Sequence, residues 1–249
     1  MNFHVITLFP ESLDSYVNSS IVGRALSDGK IKIKYYNPRD YTKDKWRRVD
    51  QKPYAGGPGM VLEAVSVSKA VLKAAANSKL KIQNSKLQTS KNLKSLNLKS
   101  SILIVWFTPS GAQFTNEVAD KAAKKYTDIV FICGRYEGID ARVKKIVRDE
   151  LKSKGLKFDL KEISVGPYVL TGGELPAMIM IDTISRRIPG VLGKIESLEE
   201  LRVASSDVYT RPEVIEIKGK KYKVPKVLLS GNHAKITEWR SQKNKKFLS

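Results

Sequence analysis

Residues 162–193, EISVGPYVLTGGELPAMIMIDTISRRIPGVLG, constrain what this chain can fold into more than any other stretch. A short apolar strand feeds a turn rich in glycine and proline. A second glycine turn follows, and then a helical segment that is apolar almost all round. A helix without a polar face belongs in a core, and backbone free of bulky side chains beside it can approach a ligand closely. The run FICGRYEGIDARV at 131–143 repeats the arrangement upstream. The two junctions predict one small-molecule site, held by main-chain groups and built from loops at strand ends.

The rest of the chain supplies a scaffold for such a site. Apolar runs at 3–9, 31–36, 102–107, 128–133 and 159–165 have the character of strands. Helical patterns follow at about 11–29, 61–76, 116–125 (with Thr115 as its cap), 138–148 and 174–187. Strands alternating with helices predict an α/β domain with a mostly parallel sheet. The segment from Asn37 to Met60 is polar, basic and turn-rich, and too long for an idle connection, which marks it as a functional loop. After Gly193 the pattern weakens. We assign 1–193 to the main domain, 194–208 to a linker and 209–249 to a small, mainly helical basic module. That module carries a hairpin turning near Gly219 and a last helix from about 233, capped by Asn232. Residues 77–101 are a repetitive Asn/Ser/Lys/Leu tract, assigned as a low-complexity insertion.

Composition narrows the chemistry. With Cys133 as the single cysteine there is no intrachain disulfide and no thiolate metal cluster. His4 and His233 are the only histidines, which leaves little for a metal site or a Ser-His-Asp triad. No N-terminal basic-then-apolar leader and no membrane-length apolar run are present, so a cytoplasmic protein with no membrane partner is expected. The net charge of +20 predicts a polyanionic partner, and it stays at +14 without the six lysines of 77–101. Three glycine-bearing loops, 108–111, 134–138 and 166–173, follow apolar strands, where open α/β sheets bind ligands. None is a dinucleotide fingerprint, and AGGPGM at 55–60 lacks the Gly-Lys-Ser/Thr of a phosphate loop.

Nine motifs then fall in collinear order: LFPE (8–11), GRA (23–25), PRD (38–40), PYAGGPGM (53–60), CGRYEGID (133–140), SVGPYVLTGGELPAM (164–178), IPGVLG (188–193), YTRPEV (209–214) and VLLSGNH (227–233). With them the chain resembles the bacterial tRNA (guanine-N1)-methyltransferase family, among the trefoil-knotted, SPOUT-class methyltransferases. The likeness covers nearly the whole chain outside 77–101. It implies a parallel-sheet domain with a deep C-terminal trefoil knot, an exception to the rule against knots. It also implies S-adenosyl-L-methionine as methyl donor, tRNA as substrate, a homodimer whose sites use both subunits, and methylation at N1 of the guanosine 3′ of the anticodon, position 37. Magnesium dependence is compatible with the family, although the sequence holds no dedicated ligand cluster.

By the same resemblance the donor pocket comprises Phe107, Thr108 and Pro109; Gly134 and Glu137; Val165, Gly166, Pro167, Tyr168, Val169 and Leu170; and Gly172, Gly173 and Pro176. The alternative for Glu137, set behind the site reading, is a carboxylate favoured by a helix N-terminus. Tyr54, Gly56, Gly57 and Gly59 fall in a loop the family places near the target nucleotide. Trp46, Arg47 and Arg48 would either stack on and neutralise RNA or pack against their own domain.

The reaction sets its own demands. Guanine N1 is protonated at neutral pH, so a general base is needed. Deprotonation drives charge toward O6, so a cation there stabilises the transition state. The family gives the second role to an arginine of the knot helix, which by motif is Arg186. The family's base is an aspartate in an acidic-Asp-Ser-Phe motif, and here the chain departs: the text is KIESLEELRVASSD. Glu200, or next Glu199, is the candidate, the alternative being that both are solvated linker charges. The departure keeps open a catalytically impaired RNA-binding homologue, or a related knotted enzyme with another target atom.

Overall fold

The computed structural model describes residues 1–87, 102–192 and 207–245. The chain divides into two compact units, Met1–Leu192 and Gly193–Ser249.

The first unit opens with β1 (Asn2–Ile6), α1 (Glu11–Val17), α2 (Ser20–Ser27) and β2 (Lys32–Tyr36). One helix was expected where two stand. The N–H of Asn18 closes α1 onto Asp14, and Ser20 takes a left-handed φ of 51° that redirects the chain into α2. A two-residue ladder follows, β3 (Asp50–Gln51) with β4 (Val61–Leu62), and then α3 (Ala64–Leu87). Next come β5 (Ile102–Gln113), α4 (Asn116–Lys125), β6 (Asp128–Ile132), α5 (Arg142–Ser153), β7 (Phe158–Ser164) and α6 (Glu174–Ser185).

The main sheet has the order β2-β1-β6-β5-β7, and all its pairings are parallel. Its central strands are apolar on both faces because helices cover both faces. On one side Leu13, Val22, Ala122, Ala177, Met180 and Ile184 from α1, α2, α4 and α6 pack against Phe3, Val5 and Phe131. On the other, Val67, Val71 and Ala74 of α3 and Val143, Val147 and Leu151 of α5 cover Ile6, Ile104 and Ile132. The expected α/β class with a parallel sheet is what the structure has.

β5 is longer than the apolar run suggested. Ile163 of β7 pairs first with Phe107 and again with Ala112, so residues 108–111 bulge out at the strand end before pairing resumes. α3 also outruns its expected end and takes in the first part of the low-complexity tract. Asn77 donates to the Tyr36 hydroxyl at 3.0 Å, and the buried Ser78 hydroxyl lies 3.3 Å from His4 Nε2. His4 in turn contacts Asp128 at 2.9 Å through Nε2 and Tyr36 at 3.0 Å through Nδ1. Ser78, His4 and Asp128 are not a catalytic relay, because serine and aspartate meet the same ring nitrogen and all three are buried. They pin α3 to β1 and β6.

In the second unit β8 (Val214–Ile217) and β9 (Lys220–Lys223) form the expected hairpin, and Lys218 and Gly219 at its tip take φ of 51° and 75°. α7 (Lys226–Leu229) and α8 (His233–Lys245) complete it, with the Asn232 side chain accepting from Lys235 N at 3.1 Å as the cap.

Candidate active site

The C-terminal ends of β5, β6 and β7 converge on a cavity of about 440 Å³. Its first wall is the bulge within β5, with Phe107, Thr108 and Pro109. The second is the turn after β6, from Gly134 to Ile139. The third is the turn after β7, from Val165 through Gly173, together with Pro176 in the first turn of α6. Thirteen of the fourteen residues expected around the donor line this space. Pro167 does not. The Ser164 hydroxyl accepts from Gly166 N and donates to Gly166 O, which tightens the turn and leaves Pro167 facing solvent.

Two of the walls are zipped together. Gly173 N donates to Gly134 O at 3.0 Å, and Arg135 bridges to Gly172. A Cβ on Gly173 would stand 2.5 Å from the Cys133 Cα, so only glycine allows α6 to start this close to β6. Beneath the zipper lies a buried polar cluster that is not among the expected site residues. Thr7 donates to Glu174 at 2.7 Å, Glu174 pairs with Arg135 at 3.0 Å, and the Arg135 guanidinium lies 4.7 Å from the centre of the Phe9 ring. Glu174 is the first residue of α6, where the helix dipole favours a carboxylate. Burial, with Glu174 adding to it against Arg135, pushes the Cys133 thiol well above its usual range. The signal available in the sequence was an arginine and a glutamate of opposite charge, each next to a glycine turn.

The loop between β3 and β4 docks on the second wall. Glu137 N donates to Met60 O, Leu62 N to Gly138 O, and Asp140 N to Leu62 O. Gly59, at φ 82°, sits directly over Glu137, and a Cβ there would stand 2.5 Å from its carboxylate. Thus the expected nucleotide loop meets the expected donor pocket at Gly59 and Glu137. Tyr54, Gly56 and Gly57 extend outward: Tyr54 is 93% exposed, and the two glycines have nothing near them.

Arg186 is not brought to this cavity within one chain. It follows the last turn of α6, beside Asp182 and Tyr16, whereas the cavity lies at the first turn. Twelve helical residues separate the two ends, about 18 Å at 1.5 Å per residue. Its neighbour Arg187 is engaged with Asp120 at 2.7 Å. Glu199 and Glu200 lie outside the described residues. α6 also differs from the all-round buried helix expected: Leu175 and Ile179, one turn apart, remain 51% and 40% exposed, with Val169 at 82% close by in sequence.

The model of the family described as tRNA (Guanine-1)-methyltransferase TrmD matches residues 1–247. The chain belongs to this family. Its relatives include a tRNA (guanine-N(1)-)-methyltransferase of Clostridioides difficile, 39% identical over 98% of this chain and 92% of the relative. One from Buchnera aphidicola subsp. Schizaphis graminum is 39% identical over 97% and 80%, and one from Lachnoclostridium phytofermentans 40% identical over 98% and 86%. The protein is thus an enzyme of the tRNA (guanine-N1)-methyltransferase class. Among the described residues of the methyltransferase, no helix is long and apolar enough to cross a membrane, and no group of three or more His, Cys, Asp or Glu could hold a metal.

Proposed function

We propose that this enzyme transfers the methyl group of S-adenosyl-L-methionine to N1 of the tRNA guanosine at position 37, 3′ of the anticodon. The observation that carries this is the meeting of two loops. A cavity walled by glycine turns opens at Glu137, and the loop expected to face the nucleotide closes on that same residue through Gly59.

The cavity suits the donor. Phe107, Val165, Leu170 and Pro176 offer apolar surface for a flat ring. A Cβ on Gly134 would come 3.4 Å from Ile139, so glycine there leaves a slot that a side chain would fill. When bound, S-adenosyl-L-methionine supplies an electrophilic methyl on a sulfonium. The Glu137 carboxylate at the rim favours that positive charge. Glu200, or next Glu199, takes the guanine N1 proton, and Arg186 holds the charge that develops at O6.

With Arg186 about 18 Å along α6 from the cavity, one chain does not assemble this set. We therefore assign the site to a homodimer in which Arg186 of one protomer serves the cavity of the other. The exposed Leu175 and Ile179 lie on the stripe of α6 that leads to Arg186, as an apolar contact between two copies would require. A trefoil knot, with α6 drawn through the chain ahead of it, accords with this fold family and places the β7 turn around the donor.

The test uses methyl-labelled donor and unmodified tRNA, followed by digestion to nucleosides. The expected product is 1-methylguanosine, and a tRNA with adenosine at position 37 should receive no label. Label on a ribose or another base would overturn the target assignment. No transfer at all would overturn the activity and favour a silent RNA-binding homologue.

A further inference from the structure

Trp46 is 71% exposed, whereas Trp106 is 8% exposed. An indole exposed this far offers a flat ring on which another can stack. The loop around it is built to hold it there. Asp44 Oδ1 accepts from the backbone N–H of Trp46 at 2.8 Å and of Arg48 at 3.1 Å, while Oδ2 accepts from the Arg48 guanidinium at 3.1 Å. The Thr42 hydroxyl accepts from Asp44 N and donates to Arg48 O, each at 3.1 Å. Arg47 takes a left-handed φ of 56° and pairs with Asp40. The indole stands at the apex of this turn, with Lys45 Nζ 5.6 Å from its ring centre.

The apex is tied to the active site. Val49 is buried, and its carbonyl accepts from Glu63 N at 2.8 Å. β3 then pairs with β4, and β4 bridges to Ile139 on the cavity wall. Val49 lies three positions after Trp46, a span of at most about 11 Å.

We infer that Trp46 is a stacking platform for one unpaired base of the tRNA anticodon loop, close to the target guanosine, with Lys43 and Lys45 neutralising flanking phosphates. The inference rests on the tRNA substrate proposed above. An exposed aromatic ring among cations is how single-stranded nucleic acid is gripped without base-edge readout. A protein partner would ask for apolar neighbours around the indole, and those beside Trp46 are the exposed Lys43, Lys45, Arg47 and Arg48.

The experiment measures binding of an anticodon stem-loop to the full chain, alongside steady-state methyl transfer. Trp46→Ala should raise Kd and the KM for tRNA about tenfold, with the KM for the donor and the melting curve unchanged. Trp46→Phe should recover most of the loss. The slope of log Kd against log salt should stay as in the wild type for Trp46→Ala, since stacking releases no counterions, and fall by about one each for Lys43→Ala and Lys45→Ala. Stem-loops abasic at each loop position in turn should identify a single position whose removal costs the wild type affinity and the alanine variant almost none. Unchanged binding by Trp46→Ala, or abasic losses equal in both proteins at every position, would overturn the platform. Methylation by the wild type is read in the same assay, so failure of the activity is told apart from failure of the platform.

Discussion

Glu174 is a buried carboxylate between two glycine turns, held by Thr7 on one side and Arg135 on the other. Removing one partner of a buried pair leaves the other charge uncompensated. Glu174→Ala should therefore cost about 3 kcal/mol in urea unfolding and loosen the cavity, raising the KM for the methyl donor. Behind the pair, burial and the neighbouring Glu174 keep the Cys133 thiol protonated. Native protein at pH 8.5 should stay unlabelled by a thiol reagent that modifies the urea-unfolded chain at once. For the proton acceptor, Glu200→Ala should slow single-turnover transfer by about 100-fold or more, and Glu199→Ala, or Asp207→Ala at the end of the same acidic segment, by much less. Full rate in the Glu200 variant would sink that assignment. At this scale the sequence was informative where a residue type is forced, as at Gly173 and Gly59, which no side chain could replace without displacing Cys133 or Glu137. It was silent on the Thr7–Glu174 contact, because the partners are far apart in the chain.

Among the elements, α4 was legible because Thr115 caps it through Val118 N and the helix stops before β6. α3 was not, because composition marks 77–101 as a repeat while Asn77 and Ser78 find partners in Tyr36 and His4, more than 40 residues upstream. The bulge in β5 was hidden for a similar reason: nothing local announces that Ile163 pairs twice. The polar cluster under α3 also gives a pH dependence. Burial pushes the Asp128 carboxyl up, but the hydrogen bonds from His4 and Thr127 outweigh it and hold it below its usual value. A depressed carboxyl contributes stability above its unfolded pKa of about 3.9 and loses it as pH falls through the lower folded value. Acid titration below about pH 4 should therefore unfold the wild type more steeply than Asp128→Asn. His4→Ala, which strands that buried carboxylate, should cost about 3 kcal/mol at pH 7, and the double replacement of His4 and Asp128 less than the sum of the two singles.

For the whole molecule, the deciding geometry is the length of α6. The cavity proposed for the donor is at its first residues and Arg186 just beyond its last, so the proposed chemistry asks for two chains. Leu175→Arg with Ile179→Arg should yield a folded monomer by analytical ultracentrifugation, with methyl transfer lost. The sharpest test mixes two inactive variants. Gly134→Leu fills the slot against Ile139 and blocks the proposed donor cavity of its own chain, whereas Arg186→Ala leaves that cavity open and removes the proposed O6 contact. Each homodimer should be inactive. Co-refolded, the mixed dimer carries one site with an intact cavity facing an intact Arg186, and it should recover about a quarter of wild-type transfer, since half the dimers are mixed and each has one complete site. No recovery, with mixed dimers demonstrated by mass, would contradict a site shared between two chains.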